Sequence, residues 1–319
     1  MGSPIGGKSR KKTITRFNWL RHTSLPCPKG IEEFFRRNSS LTHEMTCHNK
    51  DGFSDLNILS PEKTTDFWDV FDKFHIRNVA FNQVVDFSDL DDKKKKKGEK
   101  SEDLLPEPIR VTVPKKYEGR VTILHRLTLK FSDVSQWYRI MKSPNFKKYH
   151  IIAASPQTQQ ALQHMCTSNE IDVITFEPEN KVPWKISRKL YKQAVERMIF
   201  FELPYVPAIM DSSCRKNTIF LSHAYFTTGK SMNLVVTSGT SKAFYLRSPY
   251  DVACLCAVFG LSEKLALKTL WQNPLLLISR AENRRQGKSV VSIIRKLADS
   301  SDSVTSDDQG DEALKVISV

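Results

Sequence analysis

Seven short apolar segments, separated by stretches with helical periodicity, are the feature that most constrains the fold of this 319-residue chain. Their β-branched and aromatic residues are typical of buried strands. The predicted strands are Phe53–Ile58, Asn78–Phe81, Val121–Phe131, His150–Ala154, Ile171–Phe176, Ile199–Leu203 and Leu234–Thr237. This alternation predicts a TIM-barrel-like parallel β/α barrel rather than an open doubly wound sheet. Nucleotide-binding open sheets are also disfavoured, because the chain has no GxGxxG after its first strand and no GxxxxGK[ST].

The predicted helices begin at capping or helix-starting residues. Pro156 is expected to open a helix to Cys166, and Asp211 one to about Thr227. The helix that follows the cap Ser248 is apolar almost all round, which predicts burial on every side. That burial would place Cys254 and Cys256 in the core.

Composition divides the chain into a folded body and charged flanks. Residues 1–50 are predicted to be a basic, disordered extension, and residues 299–319 an acidic, disordered tail. The barrel is expected over residues 51–298, with a disordered charged insert at 88–119. Residues 51–298 contain 38 Lys and Arg against 26 Asp and Glu, so the body itself is basic. This balance favours a polyanionic partner, with nucleic acid first and an anionic membrane surface second.

Cysteine usage and short basic runs indicate the compartment. The six cysteines form no disulfide framework and no zinc-site spacing, which favours a reducing compartment. The runs Lys8–Lys12 and Lys93–Lys97 are of the nuclear-localisation type. Because the first acidic residue is Glu32, a mitochondrial presequence remains an alternative. No apolar run approaches the ~20 residues of a membrane span. Because nucleic acid is the favoured polyanion, no membrane partner is expected.

Polar residues on the predicted strands mark the place where a barrel enzyme would hold its catalytic groups. They are Asp55, Asn57, Asn82, Arg126, Lys130, Glu202 and Ser238. The eight histidines show no HxH, HxxH or HExxH spacing, His125 has the position of a core residue, and there is no GxSxG elbow. We therefore expect no metal site, no cofactor and no catalytic residue, since a charged interior can consist of paired acids and bases.

Basic residues in loops and helix ends suit contacts to phosphate, and aromatic residues near them suit stacking on unpaired bases. The basic residues are Lys185, Arg188, Arg215, Lys216, Lys242, Arg247, Arg284, Arg285 and Lys288, and the aromatic ones are Trp184, Tyr191, Phe244 and Tyr245. Arg247 directly precedes the helix cap Ser248. A guanidinium beside free helical N–H groups predicts contact with an RNA phosphate or with a carboxylate on a partner subunit.

Several longer segments resemble the thirty-kilodalton protein subunit of ribonuclease P and ribonuclease MRP. They are FSDLNI at 53–58, VAFNQVVDF at 79–87, HRLTLKFSD at 125–133, FELPYVPAIMDSSCRKNTI at 201–219, NLVVTSG at 233–239, RSPYDVACLCAVFGLS at 247–262 and SRAENRRQGKSVVSII at 279–294. The resemblance spans Phe53 to Ile294, outside the insert. Two departures stand out: Asn57 replaces an acid that is usual in the family, and residues 1–50 have no counterpart.

The resemblance implies a TIM-like barrel in a nuclear and nucleolar ribonucleoprotein that removes the 5′ leader of precursor tRNA and, as ribonuclease MRP, processes rRNA. Its RNA is the catalyst, and this protein would be a non-catalytic scaffold that binds the ribonuclease P/MRP RNA and other protein subunits. The family's basic positions carry over to Arg126, Arg188, Arg215, Lys216 and Arg247; with Lys130, Arg284, Arg285 and Lys288 they form the predicted RNA-binding set. The alternatives are a stand-alone metal-dependent phosphoesterase barrel and a mitochondrial RNA-binding protein.

Overall fold

Seven parallel strands form the centre of the computed structural model, which describes residues 52–59, 64–87 and 103–286. Each strand pairs with the next one along the chain, so the order in the sheet is the order in the sequence. The strands are β1 (Phe53–Leu59), β2 (Ile76–Asp86), β3 (Thr122–Phe131), β4 (Ile151–Pro156), β5 (Val173–Ile174), β6 (Phe200–Pro204) and β7 (Leu234–Thr237). Their number, order and direction confirm the predicted TIM-barrel-like fold.

A single parallel bridge between Ile58 and Thr240 brings the two edges of the sheet together. The backbone N–H of Gly239 donates to the carbonyl of Asn57 over 2.9 Å. Gly239 has a φ of +64°, and a Cβ there would lie 2.8 Å from the Cβ of Pro204, so only glycine fits this close approach. The π-helical segment Lys268–Gln272 packs against β1 and β7 beside this seam.

The helices connect the strands and cover the outside of the barrel. Within the described residues they are α1 (Thr65–Lys73), α2 (Val134–Met141), α3 (Gln159–Thr167), α4 (Arg188–Glu196), α5 (Tyr205–Met210), α6 (Ser212–Gly229), α7 (Pro249–Val258), α8 (Glu263–Leu267) and α9 (Asn273–Gln286). The side chains of Asp133 and of the predicted helix starts Asp211 and Ser248 each accept a backbone N–H of their own helix. Such a cap contributes about 0.5–2 kcal/mol. No helix in the described part of the chain has both the length and the apolar character needed to span a bilayer.

The barrel is filled by an apolar layer near the amino ends of its strands. The layer comprises Leu56, Ala80, Leu124, Ile151, Ala153, Val173, Phe200 and Val235 from the strands, with Leu277, Ile278 and Ala281 from α9. Helix α9 lies across the amino ends, because Asn273 donates to the carbonyl of Leu234 over 2.6 Å and Arg284 to that of His150 over 3.0 Å. The amino end is therefore closed by a helix, and the carboxyl end is left to the loops.

Several predicted boundaries were wrong for physical reasons. Strand β2 extends to Asp86 rather than Phe81, because the long β3 supplies partners for every residue from Asn82 onward. Strand β5 is shorter than Ile171–Phe176, since its ladder to β4 holds two residues. Pro156 ends β4, and Thr158 caps α3 instead. The short helix α5 before Asp211 was missed.

Burial of the helix after Ser248 also differs from the prediction. Cys256 is buried, but Cys254 is exposed, and Val258 is 52% exposed, so one side of α7 faces solvent. The apolar residues all round α7 predicted its burial wrongly, because only one side of the helix is packed.

The second half of the charged insert has a defined place on the barrel. Residues 103–119 are described, and they include the buried side chains of Leu105 and Tyr117. The Asn145 side chain donates to the carbonyl of Leu105 over 2.8 Å. This packing differs from the expectation of disorder over the whole of 88–119. The predictions for residues 1–50, 88–102 and 299–319 fall outside the described residues.

Candidate nucleic-acid interface

Five of the predicted RNA-binding residues lie at the carboxyl end of the barrel. Because the strands are parallel, every connection from a strand to the next helix is at this end. Lys130 is near the end of β3. Arg188 begins α4, Arg215 and Lys216 lie near the start of α6, and Arg247 directly precedes the cap of α7. The topology thus gathers cations that are far apart in the sequence.

These five cations differ in how free they are. Arg188, Lys216 and Arg247 are exposed, and none of their side chains makes a hydrogen bond or ion pair with another described residue. The guanidinium of Arg215 is also exposed, but it donates to the backbone carbonyls at the end of α5, over 2.8 and 3.1 Å. Lys130 forms an ion pair with Glu177. Three side chains are therefore available to an anion without breaking an existing contact.

Arg126 lies inside the barrel, with its side chain 1% exposed. Its guanidinium makes two bonds of 2.6 Å to the carboxylate of Glu202 and one of 2.9 Å to the carbonyl of Leu56. The hydroxyl of Thr237 donates to the same carboxylate over 2.7 Å. Burial alone would raise the pKa of Glu202, but Arg126 holds it below its ordinary value. Arg126 is enclosed and its donors are used, so we leave it out of the candidate interface.

The remaining polar strand residues complete a belt above the apolar layer. The amide of Asn82 donates to the side chain of Asn57 over 2.8 Å and accepts from Thr128 over 2.8 Å. Thr128 in turn accepts from Arg126 over 3.3 Å. We call these residues, with Glu202 and Thr237, the polar belt. The structure thus joins four of the predicted strand-borne residues, Asn57, Asn82, Arg126 and Glu202, in one hydrogen-bond network.

Asp55 lies beside this belt at the seam of the barrel. Its Oδ1 accepts the backbone N–H of Ser238 over 3.1 Å and that of Asn57 over 3.3 Å. Burial raises the pKa of Asp55 above its ordinary value, despite these bonds. Within residues 52–59, 64–87 and 103–286, no group of three or more His, Cys, Asp or Glu side chains is placed to hold a metal ion.

Tyr205 was missed by the sequence analysis. It lines a cavity of about 30 Å³ together with Asp55, Ser238 and Arg247. Its hydroxyl accepts the backbone N–H of Arg247 over 3.1 Å. Burial raises the pKa of Tyr205 above its ordinary value, so the hydroxyl keeps its proton. The signal for this role was its position directly after β6, at the carboxyl end, where loops meet.

The four aromatic residues predicted to lie near the cations differ in burial. Trp184 is buried and donates to the carbonyl of Pro156 over 2.8 Å. Tyr191 is also buried and stacks on Phe201. Phe244, in contrast, is 80% exposed, and its neighbour Tyr245 is partly exposed. Stacking on an external base is open to the last two alone.

The cluster on α9 lies at the opposite end of the barrel. The side chain of Arg284 is 6% exposed and pairs with the buried carboxylate of Asp172 at 2.9 Å. Arg280 donates to the carbonyl of Ile171 over 3.1 Å, which also ties α9 to the barrel. Arg285 is exposed, and Lys288 lies outside the described residues. The structure therefore does not bring this cluster to the loops that carry Arg188 and Arg247.

Comparison with known proteins identifies a family and several relatives that this chain resembles. Residues 52–286 match the family model described as RNase P subunit p30. Ribonuclease P protein subunit p30 of Mus musculus is 29% identical over 222 residues, covering 68% of this chain and 80% of the mouse protein. The probable ribonuclease P protein subunit 3 of Schizosaccharomyces pombe is 24% identical over 235 residues, covering 73% and 90% of the two chains.

The fold also matches a solved structure. A chain in the cryo-EM structure of archaeal ribonuclease P with mature tRNA superposes with a TM-score of 0.53 at 13% identity. The match covers 76% of this chain and 100% of the archaeal one. At this level of identity the likeness concerns the fold.

Proposed function

This chain belongs to the RNase P subunit p30 family, and from that premise we propose that it is a protein subunit of the ribonuclease P ribonucleoprotein. The observation that carries the proposal is the family match over residues 52–286, which includes every strand of the barrel. The relatives in mouse and fission yeast are both named as ribonuclease P protein subunits.

The role we propose is that of a scaffold. The protein binds the catalytic RNA and other protein subunits, and the assembled complex removes the 5′ leader of precursor tRNA. Two features support this role. The polar residues inside the barrel bond to one another rather than point at an open site, and the exposed cations Arg188, Lys216 and Arg247 share the carboxyl end.

Purification of the tagged protein from its own cells, followed by sequencing of the RNA that comes with it, tests the proposal. The expected result is an abundant structured RNA together with other protein subunits, and cleavage of precursor tRNA that is lost when the co-purified RNA is digested. Cleavage at the mature 5′ end by RNA-free protein would overturn the scaffold role in favour of a stand-alone phosphoesterase.

A salt titration tests the candidate interface itself. If Arg188, Lys216 and Arg247 contact phosphates, each alanine variant should weaken RNA binding and flatten the log–log salt slope by just under ~1. Lys192→Ala is the matched control, because Lys192 is an exposed cation on the outer side of α4, 77% exposed and 3.6 Å from Glu196. Equal loss of affinity in Lys192→Ala would mean that the binding is not confined to the carboxyl end.

Ser248→Ala separates RNA contact from stability at the same loop. Ser248 accepts the backbone N–H of Asp251 over 3.3 Å, so its loss should lower stability by about 0.5–2 kcal/mol and leave RNA affinity unchanged. Arg247→Ala should do the reverse, since an exposed arginine contributes little to stability. Unfolding caused by Arg247→Ala would identify the arginine as a structural residue.

We further propose that the protein serves in the nucleus and nucleolus, and that it is shared with ribonuclease MRP in rRNA processing. The support is the family resemblance and the two lysine-rich runs in the sequence. Fluorescent fusions with and without residues 1–50 distinguish nuclear from mitochondrial location. Recovery of two different RNAs in the purification would support the role in ribonuclease MRP, and recovery of one would argue against it.

A further inference from the structure

We propose that Phe244 is a stacking platform for one unpaired nucleotide of the bound RNA. The proposal rests on the RNA-binding role proposed above and specifies the kind of contact that one residue makes with the RNA. Phe244 is 80% exposed, the highest value among the exposed large hydrophobic residues of the described chain. Burial of this ring's apolar surface by a bound partner would therefore be favourable.

The loop that carries Phe244 is held rigidly against the barrel. The 3-10 turn Ala243–Tyr245 is anchored by apolar contacts at both ends. Leu246 is 3% exposed and belongs to an apolar cluster that includes Phe67 and Trp68 of α1, and Ala243 packs against the same cluster. The backbone N–H of Lys242 donates to the hydroxyl of Thr240 over 3.1 Å. Because both flanks of the turn are fixed, little backbone entropy is left to lose when the exposed ring of Phe244 binds a partner.

Charge at the loop favours a nucleotide over an apolar protein partner. Lys242 and Arg247 flank the turn and are both exposed. The backbone N–H of Arg247 is held by the hydroxyl of Tyr205 over 3.1 Å. The nearest acid in the sequence is Asp251, in the first turn of α7. An exposed aromatic ring two residues after one exposed cation and three residues before another suits a base and its flanking phosphates, the combination that single-stranded RNA offers.

The partner is an unpaired nucleotide, because an aromatic ring can stack fully only on a base that is not already stacked inside a duplex. Base stacking on an aromatic side chain is tolerant of sequence, since every base has a π-face. We therefore expect preference for single-stranded over double-stranded RNA at this loop, with little preference for one base.

The test uses the full-length protein and a short unstructured single-stranded RNA that carries 2-aminopurine, with the same strand in a duplex as a second probe. Phe244→Ala should weaken single-strand binding by about five-fold to a hundred-fold, and Phe244→Trp should restore it. Tyr138→Ala is the matched control, because Tyr138 is 57% exposed on the outer helix α2. The quenching of 2-aminopurine on binding should be lost in Phe244→Ala and kept in Tyr138→Ala.

Salt dependence separates stacking from charge. Phe244→Ala should leave the slope of affinity against salt unchanged, whereas Arg247→Ala should flatten it. If Phe244→Ala binds both RNA probes as the wild type does while Arg247→Ala does not, the stacking proposal fails and the proposed function stands. If Phe244→Ala instead loses a protein subunit from the purified complex with RNA affinity intact, the ring is a protein contact and the proposal is overturned. If the wild-type protein binds neither probe, both the stacking proposal and the proposed RNA contact at this end are refuted.

Discussion

Removal of one partner of the ion pair between Arg126 and Glu202 should destabilise the barrel strongly. The two side chains are 1% and 0% exposed and are joined by two bonds of 2.6 Å. Glu202→Gln keeps the shape and the acceptor for Thr237, but it leaves the guanidinium charge buried without a counter-charge. Such a change costs about 3–5 kcal/mol, compared with under about 1 kcal/mol for an exposed pair.

A double-mutant cycle measures the coupling between the two residues. Arg126→Met should cost a similar amount, because it leaves the Glu202 carboxylate unpaired in the same interior. The double variant removes both charges, so it should be more stable than either single variant, by about 2 kcal/mol or more. Urea denaturation at neutral pH, followed by far-UV circular dichroism, gives the four free energies of unfolding.

The control cycle uses Lys192 and Glu196, whose side chains are 77% and 57% exposed and 3.6 Å apart on α4. Its coupling should stay within about 0.5 kcal/mol. Additive losses in the buried cycle, or a cost for Glu202→Gln as small as in the control cycle, would refute the view that this pair is a desolvated structural unit.

Two further predictions concern buried titratable groups. Burial raises the pKa of Asp55, so the folded state holds this proton to a higher pH than the unfolded chain, and the contribution of Asp55 to stability declines as the pH rises above its ordinary value. Asp55→Asn keeps an acceptor for the backbone N–H groups of Ser238 and Asn57, so it should melt at or above the wild-type temperature at neutral pH. Asp55→Ala removes the acceptor and should lower the free energy of unfolding by about 1–3 kcal/mol. An Asn variant that is less stable than the Ala variant would contradict this. Burial, reinforced by Arg285, lowers the pKa of His150 from 6.5 to about 4. Stability from this group should be complete above the unfolded pKa and should fall as the pH drops toward the folded one. His150→Asn should flatten this dependence, and an equal pH profile in both proteins would exclude the histidine as its cause.

The barrel itself was predictable from the sequence because its signal is local. Strand burial, helix caps and the spacing between them are properties of a few neighbouring residues, and they gave seven strands in the right order. Strand lengths were less predictable. Strand β2 continues beyond Phe81 because β3 offers partners, and no residue of β2 reveals how long its neighbour is.

The location of the cations at the carboxyl end was also predictable, since it follows from the barrel topology once the strands are assigned. Their exposure was not. Arg215 is engaged by carbonyls of α5, a helix that the sequence did not indicate, and Lys130 is engaged by Glu177 from the loop after β5. Contacts of this kind depend on loop conformation rather than on local pattern.

For Arg126, however, strand periodicity makes burial of the side chain predictable from the sequence. Side chains alternate along a strand, so Arg126 shares the face of Leu124, and Glu202 shares the face of Phe200. Leu124 and Phe200 are in the interior layer, and a single charge on the same face of either strand would be buried without compensation. One arginine and one glutamate at matching heights on interior faces therefore predict each other as partners. The same reasoning separates Arg126 from Arg247: the first is positioned by strand periodicity, whereas the second follows a strand end and precedes a helix cap, where a side chain is free to meet solvent or RNA.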